Sequence, residues 1–200
     1  LVALLTCEND EVIDNSAWVL GSLARDNSEN QTAIAAVGAI PPLVALLTSG
    51  DDEAKGDAAE VLQVLAYDNS ENQAAIAAAG AIPLLVALLT SGNDETKESA
   101  IGALGNLARA NSENQTAVAA AGAIPLLAAL LTSGNDKTKE SAILTLGNLA
   151  HHHSENQTAI AATGAIPPLV ALLTCENDEV IDNSAWVLGS LARDNSENQT

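Results

Sequence analysis

Three consecutive histidines, His151, His152 and His153, form the one cluster in this 200-residue chain whose chemistry invites a metal. Imidazoles capture zinc when two of them converge from positions i and i+4 of a helix. Consecutive side chains diverge instead. The cluster also falls at a junction that elsewhere reads Arg25-Asp26-Asn27, Tyr67-Asp68-Asn69 and Arg109-Ala110-Asn111. The expectation is an exposed, substituted loop, with no metal and no cofactor. No glycine-rich phosphate loop, His-Glu-x-x-His or Cys-x-x-Cys pattern occurs. No pair of the many carboxylates has a spacing that singles it out as acid and base. The expectation is therefore no enzyme.

Cys7 and Cys175 are the only cysteines. They hold the same place in repeated segments four units apart. At about 10 Å per helix layer that separates them by roughly 40 Å, too far for a disulfide. A reduced, intracellular setting, cytoplasmic or nuclear, follows as an expectation. Four Asn-Gln-Thr sequons, at Asn30, Asn114, Asn156 and Asn198, formally allow glycosylation, but they recur because a helix start recurs. Seven basic against 26 acidic residues give a net charge of −19. That argues against nucleic acid and anionic membranes, which both reward Lys and Arg; it permits a basic partner, although an acid excess by itself is more often plain solubility. The longest apolar run, Ala74 to Leu89, is broken by Gly80 and Pro83 and is shorter than the roughly 20 residues of a membrane span.

The elements that must position these residues come from one repeated unit. Gly38, Gly80, Gly122 and Gly164 are 42 residues apart, as are Pro41, Pro83, Pro125 and Pro167. Complete units are expected at 28–69, 70–111, 112–153 and 154–195, with a partial unit at 1–27 and the start of another at 196–200. Hydrophobic residues make up 48 % of the chain, yet Phe and Met are absent. Ala, Leu, Ile and Val at helical spacing suit closely approaching helices, and no stretch alternates as a half-buried strand would. Each unit parses into three helices. Ser28-Glu29-Asn30-Gln31 predicts a capping box, with Ser28 at the N-cap and Gln31 reaching back. Gly38 ends the first helix, Pro41 opens the second, and Ser49-Gly50 breaks it. Asp51 and Asp52 open a third helix running to about Ala66, with Ala58, Val61, Leu62 and Leu65 on its apolar face.

A three-helix, 42-residue unit with Gly-Ala-Ile-Pro between its first two helices resembles the armadillo repeat. ENQTAIAAVGAIPPLVALLTSGDDEAKGDAAEVLQVLA and ENQTAVAAAGAIPLLAALLTSGNDKTKESAILTLGNLA look like that family along their whole length. The units also look like those of plant and algal and of vacuole-associated armadillo proteins. The resemblance implies an all-α fold, a right-handed α-solenoid whose third helices line a concave groove. In importin-alpha-like and catenin-like members the groove carries a column of Trp and, four residues on, a column of Asn. The Asn amide donates and accepts, so it can hold a peptide backbone of any sequence.

Carried onto this chain, the Trp column reads Trp18, Glu60, Gly102, Leu144 and Trp186, and the Asn column Ser22, Val64, Asn106, Asn148 and Ser190. The two never coincide within one repeat, a departure that argues against import-cargo binding. One turn earlier lies a mostly acidic column: Asp14, Gly56, Glu98, Glu140 and Asp182. Asn106 and Asn148, beside Glu98 and Glu140, read either as holders of an extended basic segment or as hydrogen bonds between repeats.

Residues 1–32 and 169–200 are identical, an offset of four units, whereas 1–32 matches 43–74 at only 19 of 32 positions. The array therefore repeats in blocks of four. This suggests a window on a longer array, natural or engineered, and supports a rival reading as a structural spacer or assembly subunit. Leu1, Leu4, Leu5, Leu188 and Leu191 are expected to expose apolar surface, so that end-to-end self-association follows. The leading expectation is a non-enzymatic scaffold for an extended protein segment.

Overall fold

The computed structural model describes residues 1–193 and residue 195; the start of a further unit expected at 196–200 lies outside them. All regular structure among the described residues is helical. A 3-10 turn at Val2–Thr6 precedes α1 (Asp10–Ala24), α2 (Ser28–Ala36), α3 (Ile40–Ser49), α4 (Asp52–Ala66), α5 (Ser70–Ala78), α6 (Ala81–Ser91) and α7 (Asp94–Ala108). Then come α8 (Ser112–Ala120), α9 (Ala123–Ser133), α10 (Asp136–Ala150), α11 (Ser154–Ala162), α12 (Ile166–Leu172) and α13 (Asp178–Ala192). Two compact units divide the chain, residues 1–107 and residues from 108 onward. No single described helix is long and apolar enough to cross a membrane.

The punctuation is the expected one. Gly38, Gly80, Gly122 and Gly164 all take positive φ, from 79° to 87°, which L side chains reach only at a steric cost. Proline occupies the first turn of α3 and of α12. Asp51 caps α4, its carboxylate accepting from the Ala54 amide at 2.9 Å.

The first helices are capped differently from the Ser-x-x-Gln expectation. The N-cap of α2 is Asn27, whose side chain accepts from the Asn30 amide at 3.0 Å; Ser28 is already helical. Asn69, Asn111 and His153 do the same for α5, α8 and α11. Gln31 does not reach back. It is buried and donates to the Ala24 carbonyl at 3.3 Å, tying α2 to the end of α1. The physical reason is reach: a short Asn carbonyl spans to the third amide of the turn, which leaves the longer Gln amide for a bond between helices. Gln73 extends this role, donating to Ala66 and to Asn106, both backbone carbonyls. The sequon residues Asn114 and Asn156 are likewise buried. Asn156 donates to the Leu149 and Gln115 carbonyls, so it is a packing amide.

In the first unit α4 packs between α1 and α3, and Ala17, Leu20, Ala58, Leu62 and Leu65 are buried. In the second, α10 packs against α9 and α13, burying Ile143, Leu146, Ala150 and Val187. Each buried Leu or Ile contributes roughly 1.5–3 kcal/mol, and the small Ala faces let helix axes approach closely. Two of the expected exposed leucines are not exposed. Leu5 lies in the core beside α1, and Leu191 is 1 % exposed, because its side of α13 is the one turned toward α10.

Candidate functional site

Within the first unit, α1 and α4 set carboxylates around an aromatic ring. Glu11, Asp14, Asn15 and Trp18 follow one another at three- and four-residue spacing along one side of α1, and Glu53 and Asp57 do so on α4. Together these six line an open depression of about 430 Å³. Trp18 is 65 % exposed. Asp14 has one carboxylate oxygen buried without a hydrogen-bond partner. Burial, then the neighbouring Asp51, Glu53 and Asp10, raise its pKa above the ordinary carboxylate value. Asp57 is shifted further, to about 6, by burial first and then by Asp14, Glu60, Glu53 and Asp51. Like charges are thus held closer than they would choose, and a cation placed among them relieves the repulsion. The exposed indole adds a face suited to a guanidinium or ammonium group.

The residues singled out in the sequence fall into different situations. Glu60 is engaged by Arg25 in an exposed ion pair, so a basic ligand must compete for it. Ser22 is exposed beside it. On α7, Glu98 is half-buried, and Asn106 donates from Nδ2 to the Gln63 carbonyl at 2.9 Å. One of its two amide protons therefore serves the bond between repeats. At the Trp-column position Gly102, the Gln63 amide lies where a side chain would start, 2.5 Å from a built Cβ.

In the second unit Glu140 and Asn148 are half-buried on α10, with Leu144 exposed between them. The Asn148 backbone carbonyl accepts from Gln115 at 2.7 Å. Trp186 lies against Gly147: a Cβ built there would fall inside the indole. It remains 38 % exposed, with the His151 ring 6.1 Å away. Ser190 is buried, unlike its counterpart Ser22. The three histidines separate. His153 caps α11 through Nδ1 and meets Thr116 through Nε2 at 3.0 Å, while His152 takes a positive φ of 55° at the junction. His151 stands near Trp186, its pKa lowered by burial, then by His152 and Arg193.

The acid concentration around Glu53 and Asp57 was absent from the sequence reading, which followed equivalent columns and met Gly56 there. Helical spacing of Glu53 and Asp57 was the available signal. Their approach to Asp14 is a product of packing between α1 and α4.

The family model for the armadillo/beta-catenin-like repeat matches residues 27–67, 69–109, 111–151 and 153–193. Among curated proteins none matches this chain. Among solved structures, an engineered protein is 35 % identical with a TM-score of 0.91, over 96 % of this chain and 77 % of its own. A designed armadillo repeat protein in complex with the peptide (KR)4 is 28 % identical, with a TM-score of 0.93 over 99 % and 83 %. A computationally designed armadillo repeat protein for modular peptide recognition is 29 % identical, with a TM-score of 0.86 over 94 % and 79 %.

Proposed function

This chain belongs to the armadillo repeat family, and we propose from that premise that it is a non-enzymatic scaffold holding an extended, basic segment of a partner protein on its third-helix faces. The carrying observation is the depression at Trp18, where Asp14, Glu53 and Asp57 crowd negative charge around an exposed indole. A Lys or Arg side chain laid there gains from the carboxylates and from the ring. Asn106 acts as a backbone holder through the amide capacity that its bond to Gln63 leaves over, and Asn148 stands at the equivalent place on α10. Glu98 and Glu140 supply acid beside them. Binding of (KR)4 by a designed relative of the same fold supports this reading.

The test is a titration with an alternating Lys-Arg peptide. Affinity should fall as salt rises, since screening shortens to about 8 Å at physiological ionic strength. Asp14→Asn with Asp57→Asn should weaken binding several-fold, and Asn106→Ala with Asn148→Ala should cost about 1–3 kcal/mol. Unchanged affinity in both double variants, with helicity intact, would sink the proposal.

A further inference from the structure

Four of the five third helices carry glycine three residues after the Trp column, at Gly21, Gly105, Gly147 and Gly189. The fifth, α4, carries Gln63 there. The Trp column itself holds one glycine, Gly102 on α7. These two departures meet. The Gln63 carboxamide carbon, nitrogen and oxygen lie 2.5, 2.6 and 2.7 Å from a Cβ built at Gly102. The amide therefore lies flat over α7, in the volume a side chain would take, with its polar edge turned away from Gly102. Trp186 and Gly147 divide the space the other way, the large residue on the later helix and the glycine on the earlier one. Between α4 and α7 the sizes are exchanged, and a carboxamide from the earlier helix stands where the later one would place its aromatic.

The surroundings of this amide are open on one side. Within residues 100–108 of α7 only Gly102 and Asn106 are not buried, so Gln63 stands over the strip that α7 leaves uncovered. Among the described residues its carboxamide has no hydrogen-bond partner, although Gln63 is half-buried. Its polar atoms have lost water without gaining a bond, and a ligand that supplies one is favoured. Asn106 leans toward α4 beside it, Nδ2 donating to the Gln63 carbonyl at 2.9 Å.

We propose that Gln63 is a further peptide-holding residue, its carboxamide exchanging hydrogen bonds with a main-chain amide of the extended basic segment. A carboxamide offers a donor and an acceptor side by side, the complement of a peptide C=O and N–H. Val64, which stands in the Asn column of α4, has no polar side-chain atom, and Gln63 supplies at the preceding position what Val64 lacks. Gly102 makes this possible, because a side chain there would take the same volume. The inference rests on the peptide reading of this face and adds to it a contact that carries no charge.

Gln63→Met keeps length and bulk over Gly102 and removes both hydrogen-bonding groups. With wild-type helicity, it should bind the alternating Lys-Arg peptide about five- to tenfold more weakly. Its salt dependence should be unchanged, since no charge is altered. Gly102→Ala, a favourable change for the helix itself, puts a methyl group where the amide lies and should lose a similar factor. Successive amides of an extended chain face opposite edges, so two further peptides carry N-methyl groups at odd or at even residues. Against one of these the gap between wild type and Gln63→Met should close to about twofold or less, because the bond is already absent. Wild-type affinity in either variant, or the same loss against both methylated peptides, would overturn the role of Gln63 and leave the peptide reading standing. A wild-type chain that binds no Lys-Arg peptide would overturn both.

Discussion

Leu23 and Leu191 occupy the same place in two identical 25-residue segments, yet Leu23 is 48 % exposed and Leu191 is 1 % exposed. Leu20 and Leu188 show the reverse: the first is buried, the second only half so. Both segments form the same third helix, fifteen residues long and capped by Asn9 or Asn177. Local sequence therefore sets the helix, and the neighbour on each side sets which face becomes core. A third helix here is two-faced. Ile13, Ala17, Leu20 and Ala24 meet the following repeat, and Val180, Val187 and Leu191 meet the preceding one. Stability in such an array is a sum of units and the interfaces between them.

The largest effect expected from this contrast is at the leucines. Leu20→Ala should destabilise the chain by about 2–5 kcal/mol, as buried truncations do, and Leu188→Ala by about 1 kcal/mol, because part of its surface is already wet. Equal losses in urea unfolding would break the comparison. The glycines follow. Gly147→Ala forces Trp186 off its seat and should cost about 1–3 kcal/mol. Gly189→Ala meets nothing and should stabilise by about 0.5–1 kcal/mol, through helix propensity alone. A destabilised Gly189→Ala would mean that the neighbour is not what separates the two sites.

The junctions sharpen the same point at smaller scale. Asp26, Asp68, Ala110 and His152 all take φ near +50° between a third helix and the next first helix. Ala is the least suited of these to a left-handed backbone, since Asp can hydrogen-bond locally there. Ala110→Gly should raise stability by about 0.5–1 kcal/mol, and Asp68→Gly by less. Thermal unfolding of the two variants side by side checks the ranking.

The pH dependence also differs between regions. Asp57 titrates at about 6 in the folded chain against an ordinary 3.8. The folded state therefore binds more protons between those values, and stability falls as pH rises through 6. His151 has a lowered pKa, so the unfolded state binds protons first, and stability falls as pH drops below its ordinary 6.5. Asp57→Asn should remove the first trend and His151→Gln the second. Melting temperatures from pH 5 to 7.5 that retain both slopes in both variants would discard the assignment. The Lys-Arg peptide should bind more weakly below pH 6 in the wild type, where Asp57 is neutral.

The period, the helix breaks and the family were all legible in the residues, because Gly, Pro and capping side chains act on their own few neighbours. Gly38 needs a left-handed backbone and Asp51 needs an amide three residues on, whatever surrounds them. The first-helix cap was misplaced by one residue because two local solutions, Asn27 and Ser28, were both chemically adequate. The choice turned on a distant requirement, the bond from Gln31 to the Ala24 carbonyl. Equivalent-position columns found Trp18, Asn106 and Glu98 but passed over Glu53 and Asp57, which belong to the depression only because α1 lies along α4. The sequence by itself determined the repeat period, the third helices and the glycine turns, through forces that reach one helical turn. It did not determine the second-helix segment: the same LVALLT is a 3-10 turn at Val2–Thr6 and lies partly in α12 at Ile166–Leu172. Only the tertiary structure decided whether the same tryptophan is open to solvent on α1 or seated on Gly147 from α13, because burial is a property of the neighbour and identical residues cannot encode different neighbours.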